Sequence, residues 1–551
     1  MTDSLYTNPV FCNQITKERK EMGNKKLQVW LPLIFSVVMI AGMFFGFNLH
    51  KQTGNNKFFA VNKRNSLEEA LALIKLRYVD SVHLDTLEEG AIQQMMNGLD
   101  PHSIYIPASN LKEVNDDIAG NFEGIGVEFN IFYDTVHVLY VIPNGPSDKA
   151  GVKVADRILK VNGESIAGKG IKTDEVKKLI RGPGNSQVVL TILRNNQPMN
   201  IPIIRGRIPV HSMDAAYMID KTTGYIKLNK FSENTYAEFM EGMESLQEQG
   251  LKKLILDLRG NGGGLMNEAV QIADEFLDGR KLIVYTEGTN TPKREYTAKR
   301  NGIFEAGKLV VLVDELSASA SEILSGALQD WDRATIVGRR TFGKGLVQEQ
   351  YELSDGSAIR LTVARYYTPV GRSIQRSYDK GKKIYMDEIW QRYNNGELLH
   401  EDSNKVNNGK VYKTFLQKRN VYGGGGIMPD VFVPIDTNDL QKNVTLLYLE
   451  GTFNNFVYSY YMQNLPKFNQ YKSATDFAQR FPGINDAWNQ LVSYALKDTI
   501  YLKNIPARDQ GGIKDRLKAY LARYKWRNEG FYEVLNMEDP VIKKALEVIA
   551  N

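Results

Sequence analysis

Apolar and polar residues follow one another along this chain in patterns that predict buried strands and amphipathic helices in turn. A continuous apolar run at Leu309–Val313 is bounded by Asp314 and Glu315, which is typical of a buried strand in a parallel or mixed sheet. A polar turn follows, and apolar residues at helical spacing then predict a helix through Ile323 and Leu328. Strand, small-residue turn and helix together place a side chain beside the free N–H groups of a helix N-terminus. The segment therefore predicts a turn at which free N–H groups can stabilise an anion.

The rest of the chain adds modules on either side of this segment. Apolar residues at helical spacing predict two helices between Ser66 and Met96, and alternating strands follow over 121–205. From Arg207 the pattern alternates strand and helix, as expected of an α/β core. The final segment, Leu440–Ile549, has helical spacing and many aromatics, and packing on the core, dimerisation and docking of a partner are open alternatives for it. The fold class predicted is multidomain α/β.

One apolar run is long enough to predict a membrane anchor. No charged residue occurs between Val29 and Phe47, and lysines flank the run on both sides. A cleaved signal peptide or a buried core helix fits this length less well. We expect a single transmembrane helix at 29–49 in the inner membrane, preceded by a short tail, with the rest of the chain on the extracytoplasmic side. The positive charges on the two sides of the helix are nearly balanced, so they do not determine its orientation. A short tail inside and a long exported part is the simpler arrangement.

Net charge and cysteine content exclude several classes of function. The 551 residues carry a net charge of only +5 without a dominating basic block, so nothing predicts nucleic-acid binding. Cys12 is the single cysteine and precedes the predicted anchor, which excludes intrachain disulfides, cysteine-zinc clusters and a cysteine nucleophile in the main body.

The turn after Val313 offers three serines, Ser317, Ser319 and Ser321, and no histidine. A serine nucleophile needs a group that accepts its proton, and a lysine can serve when burial keeps its amine neutral. Lys344 lies nearby between two glycines, so a Ser–Lys dyad is one hypothesis. The alternative is that the serines cap the helix and the lysine is solvated.

Two other catalytic patterns fit less well. Residues 338–344 have the G-x-x-x-x-G-K frame of a phosphate loop, but Gly345 replaces the hydroxyl residue that would hold the metal. The histidines have no Ser-His-Asp framing, and His102, between Pro101 and Ser103, is expected to be structural.

The runs SASASEILSGALQD and TFGKGLVQ closely resemble the carboxyl-terminal processing peptidases, also called tail-specific proteases. The resemblance implies that Ser319 is the nucleophile, Lys344 is the base and Gln348 orients that base. It also implies a crotonase-like α/β serine protease core that needs no metal and no cofactor. YVD at 78–80, LDPHS at 99–103 and GGGGIMPD at 423–430 resemble further elements of the family.

The run RGNGGG at 259–264 supplies glycines whose backbone N–H groups can point outward, as an oxyanion hole requires. In the family, a glycine here and the residue after the nucleophile donate those groups, which implies Gly263 or Gly264, and Ala320. This chain has Gly262 where members of the family often have proline or serine. The identity of the glycine that donates its N–H group to the oxyanion is therefore open by one position. Without the neighbouring motifs, a flexible turn explains the glycines equally well.

Residues 121–205 resemble a PDZ domain, with Gly124, Ile125, Gly126 and Val127 as its carboxylate-binding loop. Glycines there leave N–H groups free to hold a chain terminus while an added strand pairs with the sheet edge. A tight strand-entry turn is the alternative.

The domain boundaries predicted are a tail at 1–28, an anchor at 29–49, N-terminal helices at 60–118, a PDZ domain at 119–205, a protease core at 206–436 with an insertion at 377–420, and a helical extension at 437–551. The function expected is a membrane-anchored serine endopeptidase that cleaves exported proteins near free carboxyl termini read by the PDZ domain. A homo-oligomer or adaptor contact through the helical extension is an open alternative. The alternative function, from a different class, is a catalytically silent PDZ scaffold or chaperone at the membrane.

Overall fold

The computed structural model describes residues 25–52, 66–401, 410–436 and 441–550. The chain divides after Leu87 into two units. The first contains helices α1 (Lys25–Gln52) and α2 (Ser66–Arg77) and the start of α3 (Leu84–Asn97). Within the described ranges, no helix combines the length and the apolarity needed to cross a membrane. The predicted anchor at 29–49, which falls within α1, is therefore unsupported, and most of the predicted tail at 1–28 lies outside the described residues.

The second unit begins with a lead-in and a small β domain. The lead-in consists of β1 (Ile104–Ile106), α4 (Ala108–Ala119) and β2 (Asn121–Gly124). The β domain consists of β3 (Val127–Phe132), β4 (Thr135–Val141), α5 (Pro146–Lys149), β5 (Arg157–Val161), β6 (Glu164–Ser165), α6 (Thr173–Ile180), β7 (Gln187–Arg194) and β8 (Gln197–Ile204). Its strand order is β3-β4-β5-β7-β8, with β6 on β5, so β3 lies at an edge. Alternate residues of β7, including Val188, Leu190 and Ile192, fill the core of the domain.

A six-stranded sheet forms the centre of the α/β core, with strand order β10-β11-β12-β15-β16-β21. All neighbouring pairs are parallel except β10 with β11. Every residue of β11 is buried, as the continuous apolar runs of a parallel sheet predict. The elements of this sheet are β10 (Met213–Met218), β11 (Thr223–Leu228), α7 (Thr235–Glu248), β12 (Lys253–Asp257), α8 (Met266–Asp274), β15 (Lys308–Val313), α9 (Ala320–Asp330), β16 (Thr335–Gly338) and β21 (Val431–Phe432).

Helices cover both faces of this sheet. The side chains of α7, α8 and α9 form one apolar cluster with it, and those of α18 (Pro540–Ala550), the last helix of the chain, form the other. The carboxyl ends of β12 and β15 lie next to each other because these strands pair in parallel. That register places the RGNGGG run beside the turn that contains Ser319.

A second, antiparallel sheet has strand order β1-β18-β13-β14, with β17 paired to β18. Lys344 lies two residues before β17, and Asp355 lies in the turn of the hairpin that β17 and β18 form. The remaining elements of this region are β9 (Gly206–Pro209), β13 (Leu282–Glu287), β14 (Arg294–Thr297), β17 (Leu346–Glu352), β18 (Ala358–Tyr367), α10 (Lys382–Met386), α11 (Glu388–Asn394), β19 (Val411–Lys413) and β20 (Asn420–Tyr422). Residues 402–409 of the predicted insertion lie outside the described residues.

The C-terminal helical domain, defined here as residues 442–535, has an aromatic-rich core of its own. It comprises α12 (Lys442–Leu449), α13 (Thr452–Gln463), α14 (Leu465–Phe468), α15 (Ala474–Arg480), α16 (Ile484–Ala495), a 3₁₀ turn (Leu496–Asp498) and α17 (Ala507–Leu535). Helix α17 is kinked at Trp526 and Arg527, whose backbone dihedrals are not helical. The Tyr217 hydroxyl of β10 donates to the carbonyl of Tyr532 at 3.3 Å, so this domain packs on the α/β core, one of the three roles the sequence left open.

Candidate active site

Ser319 occupies a strained turn between β15 and α9. Its φ of 55° and ψ of −112° lie in a region that non-glycine residues rarely adopt, and such strain is concentrated at functional sites. The Ser319 N–H donates to Glu322 Oε2 at 2.8 Å, and the Glu322 N–H donates to the Ser319 backbone carbonyl at 2.9 Å. The backbone therefore makes the cap, and the Ser319 hydroxyl has no hydrogen-bond partner among the described residues.

The two neighbouring serines are engaged elsewhere. The Ser317 hydroxyl donates to the carbonyl of Leu258 at 2.9 Å, and the Ser321 hydroxyl donates to the carbonyl of Asn261 at the same distance. Both serines are fully buried, whereas Ser319 is half-buried and lines a cavity of about 290 Å³. Of the three serines, Ser319 alone presents its hydroxyl to that cavity.

Lys344 lines the same cavity as Ser319. Burial lowers the pKa of the Lys344 amine, the charge of Arg360 lowers it further, and Glu322 and Asp100 oppose the shift. The amine donates to Gln348 Oε1 at 2.9 Å, so in this structure it hydrogen-bonds the glutamine and not Ser319.

The LDPHS turn positions Gln348. The Gln348 side-chain amide donates to the His102 carbonyl at 2.6 Å, and Asp100 Oδ1 accepts the N–H groups of His102 and Ser103 at 2.8 and 2.9 Å. The imidazole of His102 hydrogen-bonds Tyr385 at 2.8 Å, and burial, helped by the charge of Lys344, lowers the pKa of His102 to about 4. The contribution of His102 to the site is thus its backbone carbonyl, in agreement with the structural role predicted for it.

Glu322, which sequence reasoning did not single out, joins the serine turn to the lysine loop. Its carboxylate is completely buried and accepts hydrogen bonds from the N–H groups of Ser319, Gly343 and Lys344 at 2.7–2.9 Å and from the Thr341 hydroxyl at 2.5 Å. Burial raises the pKa of Glu322 to about 7, against the effect of these four hydrogen bonds. The available signal was the S-x-x-E spacing from Ser319, which is that of a capping box.

The glycine run lies against the turn that contains Ser319. A Cβ on Gly263 would lie 2.7 Å from Ser319 Cβ, and one on Gly264 would lie 2.0 Å from the carbonyl oxygen of Phe231, so neither position accepts a side chain. The Gly263 N–H donates to Asn261 Oδ1 at 2.9 Å and is therefore not available to an oxyanion here, which corrects the prediction for Gly263. The N–H groups of Gly264 and Ala320 make no hydrogen bond to another described residue, so these two remain as candidate donors.

Apolar side chains form much of the cavity wall, namely those of Phe231, Leu265, Met266, Ile323, Leu346 and Val347. Lys230 and Asp117 form an ion pair at 3.0 Å on the same wall. The chain continues from Lys344 into strand β17, whereas a phosphate loop continues into a helix, so the nucleotide-binding alternative is wrong. Among the described residues, no group of three or more His, Cys, Asp or Glu side chains could hold a metal ion.

The residues predicted for the carboxylate loop border a second groove. Ile125, Gly126 and Val127 line a cavity of about 210 Å³ between β3 and α6, and Gly124 ends β2 just before it. Gly126 has a φ of 75°, and among the described strands β3 pairs only with β4. The groove therefore offers an open strand edge beside a glycine-shaped loop, as β-strand addition requires.

A third cavity shares residues with both of these sites. It shares Phe122 and Arg181 with the groove, and Asp117, Ile118 and Arg360 with the catalytic cavity. The lining of the groove is thus continuous with that of the site that contains Ser319.

Relatives of this chain decide its family. A Staphylococcus aureus protein named "Probable CtpA-like serine protease" is 34% identical over 417 residues, which are 74% of this chain and 80% of that protein. The chain belongs to the carboxyl-terminal processing peptidases. It is therefore a serine endopeptidase, which removes the scaffold alternative. A "Carboxy-terminal-processing protease" of Bartonella bacilliformis is 34% identical over 349 residues, 62% of this chain and 80% of its own length.

Family profiles match separate parts of this carboxyl-terminal processing peptidase. Residues 222–381 match Peptidase family S41, residues 137–194 match a PDZ domain, and residues 43–109 match the N-terminal domain of the activating protease CtpB. Residues 444–527 match a family of unknown function. Among solved structures, the photosystem II D1 C-terminal processing protease matches at 29% identity over 67% of this chain and 86% of its own, with a TM-score of 0.36. The Peptidase S41 and PDZ matches confirm the multidomain α/β class without its transmembrane helix, and the exact domain boundaries stay predictions.

Proposed function

We propose that this peptidase uses Ser319 and Lys344 as a catalytic dyad and cleaves proteins near carboxyl termini that bind in the PDZ groove. The observation that carries the dyad is that the unengaged hydroxyl of Ser319 and a buried amine of lowered pKa line one cavity. A buried lysine that loses its proton near working pH can act as a general base for serine.

In this mechanism, Ser319 Oγ attacks the carbonyl carbon of the scissile peptide while its proton passes to Lys344 Nζ. The tetrahedral intermediate collapses by breaking the C–N bond, and Lys344 returns the proton to the leaving amine. Water then attacks the acyl-enzyme with Lys344 as base and releases the second product. Gln348 holds the amine between these steps, since it hydrogen-bonds Nζ at 2.9 Å.

The oxyanion is held by the backbone N–H groups of Gly264 and Ala320. Gly264 lines the same cavity as Ser319, and Ala320 follows Ser319 as the first residue of α9, where the helix leaves its N–H groups free. One such donor is typically worth about 3 kcal/mol of barrier. The apolar wall near Phe231 and Met266 favours an apolar substrate side chain at the cleavage site.

The PDZ groove supplies recognition of the substrate tail. An extended terminus pairs with the free edge of β3, its carboxylate meets the N–H groups of the loop at Gly124–Val127, and an apolar side chain enters between Val127 and Ile180. The continuous lining from this groove to the catalytic cavity gives the rest of the chain a route to Ser319.

An extracytoplasmic location, with exported proteins as substrates, and a homo-oligomer or adaptor contact through the C-terminal helical domain stay predictions. Cell fractionation followed by protease accessibility tests the location. Full protection of the catalytic part in intact spheroplasts would contradict it.

The dyad is tested with purified Lys344→Ala protein and a substrate that carries an apolar tail. We expect no detectable cleavage with an unchanged circular dichroism spectrum. The control is Lys382→Ala, because Lys382 is half-buried, donates to Asn97 at 3.0 Å and does not line the cavity that contains Ser319. Cleavage by folded Lys344→Ala protein at the rate of this control would contradict the proposal.

A further inference from the structure

The C-terminal helical domain contacts the PDZ domain through aromatic side chains. The ring of Tyr458 stacks on that of Phe132 with centroids 4.3 Å apart, and its hydroxyl is 3.4 Å from His137 Nδ1. The hydroxyls of Tyr494 and Tyr133 hydrogen-bond at 2.7 Å. These contacts lie on strands β3 and β4 and on the turn between them, so the domain rests against the strand that forms the peptide groove.

Two arginines of α17 add a charged contact to the same strand. Arg523 and Arg527 reach the two carboxylate oxygens of Glu128 at 2.8 and 2.5 Å, and the guanidinium of Arg527 lies 3.6 Å from the ring centroid of Tyr140. Burial alone would raise the pKa of Glu128, but the two arginines hold it below its ordinary value, so the carboxylate is ionised at neutral pH. Arg527 reaches this position because α17 is kinked there, with a φ of 60° at Arg527 itself.

The next residue along the kink contacts the catalytic core. Asn528 donates to Asp214 at 2.7 Å, and Asp214 also accepts the side-chain amide of Asn229 at 3.0 Å. Asn229 directly precedes Lys230 and Phe231, which line the catalytic cavity. Consecutive residues of α17 therefore bind the groove strand on one side and the core that contains Ser319 on the other.

This geometry matters because an extended substrate must run from the groove to the nucleophile. A strand advances about 3.3 Å per residue, so a movement of the groove by a few ångströms shifts the bond presented to Ser319 by about one residue. Glu128 lies in β3 and lines the groove itself, so the two arginines act at the strand on which the tail is read.

We propose that Arg523 and Arg527 are positioning residues that hold the peptide-binding strand at Glu128 in a fixed place relative to the protease core. The proposal assigns a role to a segment that matches a family of unknown function, and it rests on the proposed binding of tails in the PDZ groove. The arginines act through β3 and do not touch the substrate.

The test compares wild-type protein with Arg523→Gln/Arg527→Gln protein on two substrates, a protein with an apolar tail and a short internal peptide without one. We expect KM for the tailed substrate to rise roughly tenfold, as when the competent orientation is reduced to a tenth of the molecules. Cleavage of the short peptide and kcat for the tailed substrate stay unchanged. Arg480→Gln is the matched control, because Arg480 pairs with Asp476 inside the same domain.

A charge exchange separates positioning from general stability. Glu128→Lys combined with Arg523→Glu and Arg527→Glu rebuilds both ion pairs with opposite signs, and we expect it to restore a low KM for the tailed substrate. Equal losses on both substrates in the double glutamine variant, or an unchanged KM for the tailed one, would overturn the proposal.

A distance measurement tests the positioning role without an activity assay. Spin labels at Lys169→Cys of the PDZ domain and Glu248→Cys of the core, both exposed, in a Cys12→Ser background report the separation of the two domains. We expect one narrow distance distribution in the wild type and a broader one in the double glutamine variant, even if the dyad proposal fails. Identical distributions in the two proteins would overturn the positioning role.

Discussion

Glu322 Oε2 accepts a hydrogen bond from the backbone N–H of Lys344 at 2.9 Å. The same oxygen accepts the backbone N–H of Ser319 at 2.8 Å. One buried carboxylate oxygen thus fixes the main chain at both residues of the proposed dyad. The distance between the serine turn and the lysine loop is therefore set below the catalytic cavity, independently of substrate.

Replacing Glu322 by glutamine removes one of its two acceptor oxygens. If the amide nitrogen takes the place of Oε2, two backbone N–H groups face a donor, and an unsatisfied buried donor costs on the order of 2 kcal/mol. We expect Glu322→Gln to lower both the free energy of unfolding and kcat for the short peptide. Chemical denaturation and steady-state kinetics measure the two effects. The control is Glu268→Gln, because Glu268 is also buried with a raised pKa but lies outside the dyad; equal kinetic losses in both variants would contradict the role of Glu322.

The raised pKa of Glu322 also predicts a pH dependence of stability. The folded protein keeps this proton up to about pH 7, while an unfolded glutamate loses it near 4.5, so the folded state binds more protons in this window. The contribution of Glu322 to stability is therefore present below pH 4.5 and is lost as pH rises through about 7. We expect the free energy of unfolding of the wild type, minus that of Glu322→Gln protein, to decrease as pH rises from 4.5 to about 7. A difference that is constant with pH would contradict the raised pKa.

The serines of the turn are expected to separate catalysis from stability. Ser319→Ala abolishes cleavage and does not lower the melting temperature, because its hydroxyl has no partner among the described residues and its backbone makes the cap. Ser317→Ala costs about 1–3 kcal/mol, because it leaves the buried N–H of Asp314 without the hydroxyl that accepts it, but the folded protein still cleaves. Differential scanning fluorimetry and a peptide assay on both variants check this. Activity in Ser319→Ala would exclude it as the nucleophile.

Gln348→Glu changes the titration of Lys344. A carboxylate in hydrogen-bond contact with the amine favours its charged form and typically shifts a pKa by 1–3 units. Because the base works only when neutral, above its pKa, the rising limb of kcat/KM moves to higher pH. Profiles of kcat/KM against pH measure the shift, with the exposed Gln247→Glu as control. An unmoved limb would show that another group titrates.

The PDZ loop is tested by binding to the inactive Ser319→Ala protein. Gly126→Ala is expected to weaken an apolar tail peptide about tenfold, because φ is 75° and the new Cβ would lie 3.1 Å from Ile208. Gly168→Ala is the matched control, since it has a φ of 72° in the same domain with open space around it. Fluorescence anisotropy measures the affinity of each variant for the tail peptide, once with a free and once with an amidated carboxyl terminus. Equal affinity of free and amidated peptides would argue against carboxylate recognition.

Much of the fold could be predicted because its signals are local. The apolar run Leu309–Val313 forms β15, and the helical spacing that follows it forms α9. The dyad residues could be named from a resemblance, but their surroundings could not. Glu322 and Lys344 meet across two elements, and this contact leaves no periodic pattern in the sequence.

The sequence also does not show which groups contact Gly263 or the final helices. Gly263 has the expected glycine geometry, but the side chain of Asn261, two residues away, takes its N–H group. The role of the final helices depends on contacts over several hundred residues, such as Arg259 with Asp539 at 2.8 Å, which joins the glycine run to the start of α18. Helical spacing in the last segment predicts helices but does not identify what they pack against.

The central claim is that folding keeps the Lys344 amine neutral near the pH at which the enzyme works. An NMR titration of protein labelled with ¹³C at the lysine Cε positions tests it most directly, with the Lys344 signal identified by its loss in Lys344→Arg protein. We predict that this one signal titrates clearly below the ordinary lysine value of about 10.4, while those of exposed lysines do not. A Lys344 signal that titrates together with the exposed lysines would contradict the account.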